Sequence, residues 1–299
     1  MERHRTMKRP LQPTWHSEVP DVLRNGPLGM GMLRPNEATA LLHLARDHYE
    51  GRGRIIDAGA YLGSSAWAFG QGLRERGSEI EKSSRSPIVS YDLFRDYGQC
   101  SGSFLAQFVA NVAPVIDLIE IRQGDFVCAR WDGDPIEILF NDISKTRELW
   151  AHMLVEFVPH CIPDGSVLIQ QDYHHPYLYY LHVTMEMLSQ YFEVLDEKVD
   201  DSCIYWLRSR IPVSVLHDVA NRVERDDFQY AEVLGHLASA RERIRVNHHL
   251  DLVEVMVTRR HRGNEEARRL LARILERRGE MPEDPHWALY VAGVKRLLE

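Results

Sequence analysis

Cysteine is scarce and scattered. Cys100, Cys128, Cys161 and Cys203 form no Cys-x-x-Cys pair, so neither a zinc cluster nor a disulfide framework is expected. Positive charge is short as well. The 36 Lys and Arg face 44 Asp and Glu, and the net charge of -8 argues against nucleic acid, whose phosphates need a basic surface. Long apolar runs are missing, since no stretch approaches the roughly 20 residues that span a bilayer. The opening MERHRTMKRP and the LQPTWHSEVP after it contain no apolar core, so they do not read as a secretory signal. No Gly-x-x-x-x-Gly-Lys-Ser/Thr loop occurs. What remains is an ordinary globular composition, 44% hydrophobic and 27% charged. The expectation is a cytoplasmic protein that handles a small molecule, with neither membrane nor nucleic acid as partner.

The chain divides by pattern. Residues 1–33 are rich in Pro and Gly without periodicity and read as an arm over the domain, or as partly disordered. Asn36 and Glu37 around Pro35 start a helix whose apolar face is Ala38, Leu41, Leu42, Leu44 and Ala45. Alternation follows, with strands over 54–59, 87–92, 117–125, 135–142 and 165–172. Helices over 64–77, 103–113, 146–160 and 176–192 separate them, and SEIEKSSRS reads as a surface loop. FEVLDEK and SCIYWLR, joined by VDDS, predict an antiparallel hairpin at the sheet edge. The fold class expected for 34–211 is therefore α/β, a Rossmann-like sheet of seven mostly parallel strands covered on both faces. Residues 212–299 carry only helical spacing and read as an all-helical appendage. An edge hairpin beside such an appendage is compatible with a homodimer, though nothing in the spacing demands one.

The chemistry concentrates where strands end. In DAGAYLGSS the first strand ends at Asp57, and a helix opens at Ser64. Gly59 and Gly63 between them would let backbone approach a ligand. Their spacing is Gly-x-x-x-Gly, unlike the Gly-x-Gly-x-x-Gly of dinucleotide sites, so pyrophosphate is not the obvious ligand. The second strand ends in Asp92, an acid able to accept both hydroxyls of a ribose or simply to cap the next turn. The third ends in Gly124-Asp125-Phe126, an acid and an aromatic suited to the amino group and face of an adenine. The fourth ends in Asn141-Asp142. Lys145 and Arg147 beyond it would neutralise neighbouring acids near a helix start. These four polar termini share the carboxyl edge of one parallel sheet, where open α/β proteins bind ligands.

With these motifs the chain resembles the class I S-adenosylmethionine-dependent methyltransferases over about residues 31–208, closest to bacterial small-molecule members. MLRPNE, IIDAGAYLGSS, VSYDLF, GDF, ILFNDISKT and VLIQQDYHHP carry the resemblance in order. It implies S-adenosylmethionine as cofactor. Gly59, Tyr61, Gly63 and Ser64 would surround its methionine part and ribose, Asp92 would bind the ribose hydroxyls, and Asp125 with Phe126 would hold adenine. The implied reaction is methyl transfer to an oxygen or nitrogen of a small acceptor.

The segment VLIQQDYHHPYLYY (167–180) bears on catalysis. Some relatives grip a diol with Mg²⁺ between acids at the ends of strands four and five, and Asp142 and Asp172 would be two such ligands. Gln170 and Gln171 stand where a third acid is needed. His174 and His175 are adjacent and point apart on a regular element, and magnesium prefers oxygen. No metal is therefore expected. Tyr173 is placed to face a sulfonium, which aromatic rings attract. His174 or His175 could take a proton from a hydroxyl. Tyr177, Tyr180 and Met187 recur at helical spacing and read as packing. Asn141 stands where relatives look apolar. An amide there could hold a neutral α-amine that closes on its own γ-carbon. That chemistry would be similar to azetidine-2-carboxylate synthases, with methylthioadenosine released. The candidate catalytic set is thus Asn141, Asp142, Asp172, Tyr173 and His174.

Overall fold

The computed structural model describes residues 15, 18–24, 26, 31–77, 85–98, 100–245, 248–279 and 285–299. Most of the expected arm over 1–33, and positions 78–84 of the expected surface loop, lie outside them. The short α1 (Asp21–Arg24) precedes α2 (Pro35–His43), which Pro35 opens and a wider π-type turn, Leu44–His48, extends. Strand β1 (Arg54–Ala58) leads to α3 (Ser64–Arg76) and β2 (Ile88–Asp92). A small hairpin, β3 (Arg95–Tyr97) with β4 (Cys100–Ser103), was not expected, because RDYGQCSGS has no alternating apolar pattern. Its reversals rest instead on left-handed backbone at Phe94, Asp96, Gly98 and Gly102. There follow α4 (Leu105–Asn111), β5 (Ile119–Gln123), β6 (Ile136–Asn141), α5 (Arg147–Glu156) and β7 (Val167–Gln170). Next come α6 (Tyr179–Met187), β8 (Phe192–Val199) and β9 (Ser202–Leu207). The appendage contains α7 (Val213–Arg225), α8 (Tyr230–Arg243), α9 (His249–Arg262), α10 (Asn264–Arg278) and α11 (Pro285–Leu298).

The sheet runs β5-β2-β1-β6-β7-β9-β8. Its first five members are parallel, and β9 lies antiparallel to both β7 and β8. This is the Rossmann-like α/β sheet with an antiparallel edge hairpin. β1 and β6 are buried along their whole length, as parallel strands covered on both faces must be. The chain leaves β1 in one direction across the sheet and returns to β6 on its other side. A crevice therefore opens beyond the carboxyl ends of β1 and β6.

One face of the sheet is covered by α2, α3 and α4, where Ile55, Phe69, Phe108 and Phe140 pack. The other carries α5 and α6 and, in the same apolar cluster, Leu216 and Val219 of α7 and Leu237 of α8. The start of the appendage is thus part of the cover of the sheet. A third cluster joins α9, α10 and α11 through Val255, Leu271, Trp287 and Val294. No helix among the described residues is long and apolar enough to cross a membrane.

Helices α2 and α3 touch at Gly72, where an added Cβ would run into the Leu42 carbonyl and lie 2.9 Å from Ala45 Cβ. Gly72→Ala should accordingly lower stability by about 2 kcal/mol, the usual cost of overpacking. The check is a lower urea midpoint with an unchanged far-ultraviolet circular dichroism spectrum.

Candidate functional site

The crevice is built around the turn between β1 and α3. Tyr61 sits there at φ 43°, with Gly59 at φ 99° and Gly63 at φ 96°. The space beside these glycines is filled by protein. A Cβ on Gly59 would lie 2.8 Å from the carbonyl of Asp142, and one on Gly63 would lie 2.6 Å from Val112 Cγ1. The expectation that both are bare so that a ligand can approach is corrected: they let the turn press onto the end of β6 and onto the residue following α4. Asp92 locks the turn, accepting the Tyr61 N–H at 2.9 Å and the Phe94 N–H at 2.7 Å. It therefore does cap the turn, and burial raises its pKa despite these bonds.

Above the turn lies a cavity of about 300 Å³. Of the candidate residues, Gly59, Tyr61, Ser64, Asp92, Asp125, Phe126 and Asp142 line it, and Asp57, Gly63, Asn141, Asp172, Tyr173 and His174 do not. Asp125 accepts the Val127 N–H at 3.2 Å. The Phe126 ring stacks on Phe157 at 4.9 Å, so only part of it serves the cavity. Asp57 is fully buried and accepts the Ser90 hydroxyl at 2.8 Å. Burial pushes its carboxyl up to about 6, against hydrogen bonds from Ser65 and Ser90. It braces the sheet beneath the site.

Asn141 is also out of reach. Its amide nitrogen donates to Gln170 Oε1 at 2.5 Å, and its oxygen accepts the Ser144 hydroxyl at 2.7 Å. Asn141 and Gln170 are register partners on adjacent strands, so the two amides face each other inside the sheet. The role given to Asn141 at a methionine amine is corrected accordingly, and the cyclisation reading loses the residue that carried it.

One residue further along, the groups are charged. Lys145 Nζ lies 2.5 Å from Asp142 Oδ1, 2.5 Å from Asp172 Oδ2 and 2.9 Å from Gln171 Oε1. The ammonium thus occupies the space between the two acids at the ends of β6 and β7. Burial opposes its charge, but Asp142 and Asp172 outweigh burial and raise its pKa. Burial pushes Asp142 up to about 7, with Lys145 working against that shift and Asp172 adding to it. Lys145 thus neutralises the neighbouring acids, whereas Arg147 turns away to Asp226 at 3.3 Å. Among the described residues no group of three His, Cys, Asp or Glu side chains is placed to hold a metal ion.

Tyr173 is placed away from the cavity. It is fully buried, its ring 4.2 Å from His182, 5.9 Å from Tyr205 and 6.0 Å from His249. His174 stacks on His249 at 4.2 Å. Asp172 at φ 57° turns the chain there, and the Tyr173 ring enters the apolar cluster that also holds Trp150 of α5 and Leu181 of α6. The expectation of Tyr173 facing a sulfonium and His174 taking a substrate proton is therefore corrected. Tyr180 donates to the Ser144 carbonyl at 2.9 Å, consistent with its reading as packing.

The aromatic wall of the cavity comes from elsewhere. The Tyr61 ring meets Tyr97 edge-to-face at 5.7 Å. Tyr97, Leu93 and Met32 all line the cavity and are 45%, 47% and 56% exposed, a concentration of apolar surface at its mouth. Sequence reading missed these three. The only signal was the aromatic and apolar content of LFRDYG directly after the second strand.

No protein-family model matches the chain. No curated protein matches it either. Its fold is similar to a crystal structure of an S-adenosylhomocysteine-bound methyltransferase from Podospora anserina, PaMTH1, at 16% identity and a TM-score of 0.39. That match covers 64% of this chain and 89% of the other. The Rossmann-like assignment stands on the strand order itself.

The imidazole cluster makes stability depend on pH. Burial first, and then His174, lowers His182 to about 3, and burial with the imidazoles of His174, His182 and His248 holds His249 well below the ordinary value. A lowered folded pKa means that the unfolded chain binds protons first. This contribution to stability is therefore complete above about pH 6.5 and is lost as pH falls from there toward 3. Between pH 7 and 4.5 the unfolding free energy should drop by about 2 kcal/mol for His182 alone. Urea titrations of wild type and His182→Phe measure this, and the variant should show the shallower pH slope.

Proposed function

We propose that the chain is an S-adenosylmethionine-dependent methyltransferase acting on an oxygen or nitrogen of a small acceptor. One observation carries the reading. Asp92, the Gly124-Asp125-Phe126 turn and the Asp142–Lys145 pair open into a single cavity over the β1–α3 turn, at the carboxyl edge of the sheet.

The lining chemistry suits that cofactor. A carboxylate has about four lone-pair sites. Backbone N–H groups of Tyr61, Phe94 and Leu93 occupy three on Asp92, and the remaining one can accept a ribose hydroxyl. Asp125 uses Oδ1 on Val127, which leaves an oxygen for an exocyclic amine. Phe126, Ile143 and Leu149 supply apolar surface beside it for a flat base. Tyr61 and Tyr97 take over the role expected of Tyr173, since their faces attract a poorly hydrated cation. When bound, S-adenosylmethionine supplies a methyl activated by its sulfonium.

The chain's own part is to place the acceptor and take its proton. A group with a pKa near 7 suits proton transfer at neutral pH. Asp142 is such a group, and its Oδ2 accepts no hydrogen bond from the described residues. The proton of an acceptor hydroxyl or amine would pass to that carboxylate. Lys145, held protonated with its three N–H groups on Asp142, Gln171 and Asp172, would keep the Asp142 carboxylate oriented and, for a hydroxyl acceptor, offset the negative charge left as the proton departs.

Incubation with S-adenosylmethionine and a panel of small phenols, alcohols and amines should yield S-adenosylhomocysteine by mass spectrometry. Methylthioadenosine formed without any acceptor would overturn methyl transfer in favour of cyclisation. Asp92→Ala should weaken S-adenosylhomocysteine binding at least about 10-fold in calorimetry, because a half-buried charged acceptor is lost. Equal affinity would sink the cofactor reading. In wild type, kcat should rise with pH through about 7 as Asp142 loses its proton. Asp142→Asn should remove that rise and lower kcat by about 100-fold.

A further inference from the structure

The cavity has one wall that comes from outside the sheet. Gly31, Met32 and Leu33 line it, and a Cβ on Gly31 would collide with Ser64 at the start of α3. This short segment therefore lies directly on the first turn of α3.

Its other end is fastened to the appendage. Arg34, the next residue, places Nε 2.8 Å from Asp201 Oδ2 and Nη1 2.7 Å from His286 Nε2. Asp201 is buried in the β8–β9 turn, and its second oxygen accepts the Tyr290 hydroxyl at 2.7 Å. Both His286 and Tyr290 belong to α11. The same turn grips the start of α2, for Asp200 accepts from the backbone and side chain of Asn36 at 3.0 Å. Ser202 donates to the buried Glu37 at 2.6 Å. On its far side α11 is held by Trp287, Val291 and Val294 in the apolar cluster shared with α9 and α10.

A buried carboxylate shared between a guanidinium and a phenol is a demanding arrangement. Removal of either partner leaves charge without full compensation. Apolar packing alone would have docked α11, yet the tyrosine hydroxyl is aimed at the one acid that also holds Arg34. The link runs without a gap from the appendage to the cavity wall.

We propose that α11 positions the cavity wall. Tyr290, acting through Asp201 and Arg34, holds residues 31–33 against the ligand, so that the appendage sets how tightly the ligand is bound. The ligand in question is the cofactor of the preceding proposal, and this inference rests on that reading. Tyr290 and Asp201 are positioning residues, since neither lines the cavity.

The test uses the full chain with Tyr290→Phe, which deletes only the hydroxyl, and Arg34→Ala as a second variant. Hydrogen–deuterium exchange on ligand-free protein reads the mechanical link, and calorimetry with S-adenosylhomocysteine reads its consequence. In Tyr290→Phe, the backbone amide of Arg34, which donates to Glu37 Oε2 at 2.9 Å, should exchange about 10-fold faster while α9 and α10 keep their protection. The dissociation constant for S-adenosylhomocysteine should rise about 10-fold, with kcat at saturating cofactor unchanged. Arg34→Ala should move both readouts the same way and further. Unchanged exchange at the Arg34 amide overturns the proposal whatever the binding result. So does faster exchange spread evenly through α9 and α10, which would be general loosening, and so does an unchanged dissociation constant. A wild-type protein that takes up no S-adenosylhomocysteine overturns the cofactor reading and the binding half of this proposal, and the exchange at the Arg34 amide still decides the link between α11 and the wall.

Discussion

The organisation of the site depends on one ammonium. Strands β6 and β7 are neighbours, and each ends at a carboxylate, Asp142 and Asp172. Two like charges at adjacent strand ends repel, and partial burial strengthens the repulsion. Lys145 removes the conflict by lying 2.5 Å from both. One step inside, the same pair of strands is joined by the Asn141 and Gln170 amides. The gradation has a physical reason. Neutral amides satisfy each other where water is excluded, and the charges stand at the mouth, where solvation and a ligand can reach them. Asp142 holds its proton near neutrality although it stands beside a cation. Burial and Asp172 together exceed the attraction of one shared ammonium.

Much of this was legible in the sequence. Short β-branched runs ending in acids gave five parallel strands, and SCIYWLR after VDDS gave the reversed edge. The placement of Asp92, Asp125, Phe126 and Asp142 around one cavity followed from strand endings alone, because every parallel strand delivers its last residue to the same edge. What failed was side-chain direction. Asn141 and Asp142 are adjacent, and successive residues of a strand point to opposite faces. Only the register with Gln170 shows which of the two faces the cavity. Tyr173 was lost to a single backbone angle, the left-handed conformation of Asp172, which is uncommon for any residue except glycine, asparagine and aspartate. The glycines of DAGAYLGSS were recognised as special for the wrong contact. Their missing Cβ atoms make room for Asp142 and Val112, which are distant in sequence.

Beyond the apolar packing of α7 and α8, the appendage meets the sheet domain through two polar seams of opposite character. In one, His249 of α9 lies among His174, His182 and Tyr173. Among the described residues no partner reaches either ring nitrogen of His182 or His249. The charges nearest this seam are Arg241, which disfavours protonation of His249, and Glu186, which bears on Tyr173 and pairs with Arg243. This seam holds only while its imidazoles stay neutral. In the other, Arg34 and Asp201 are ionic, and a guanidinium keeps its charge across the whole working range of pH. Acid therefore loads protons onto the histidine seam, whereas the arginine seam exposes one imidazole to it, His286, whose Nε2 must stay unprotonated to accept from Arg34 Nη1 at 2.7 Å. Two attachments of different chemistry thus hold the appendage, one through rings that must stay neutral and one through a guanidinium set between a buried carboxylate and an imidazole.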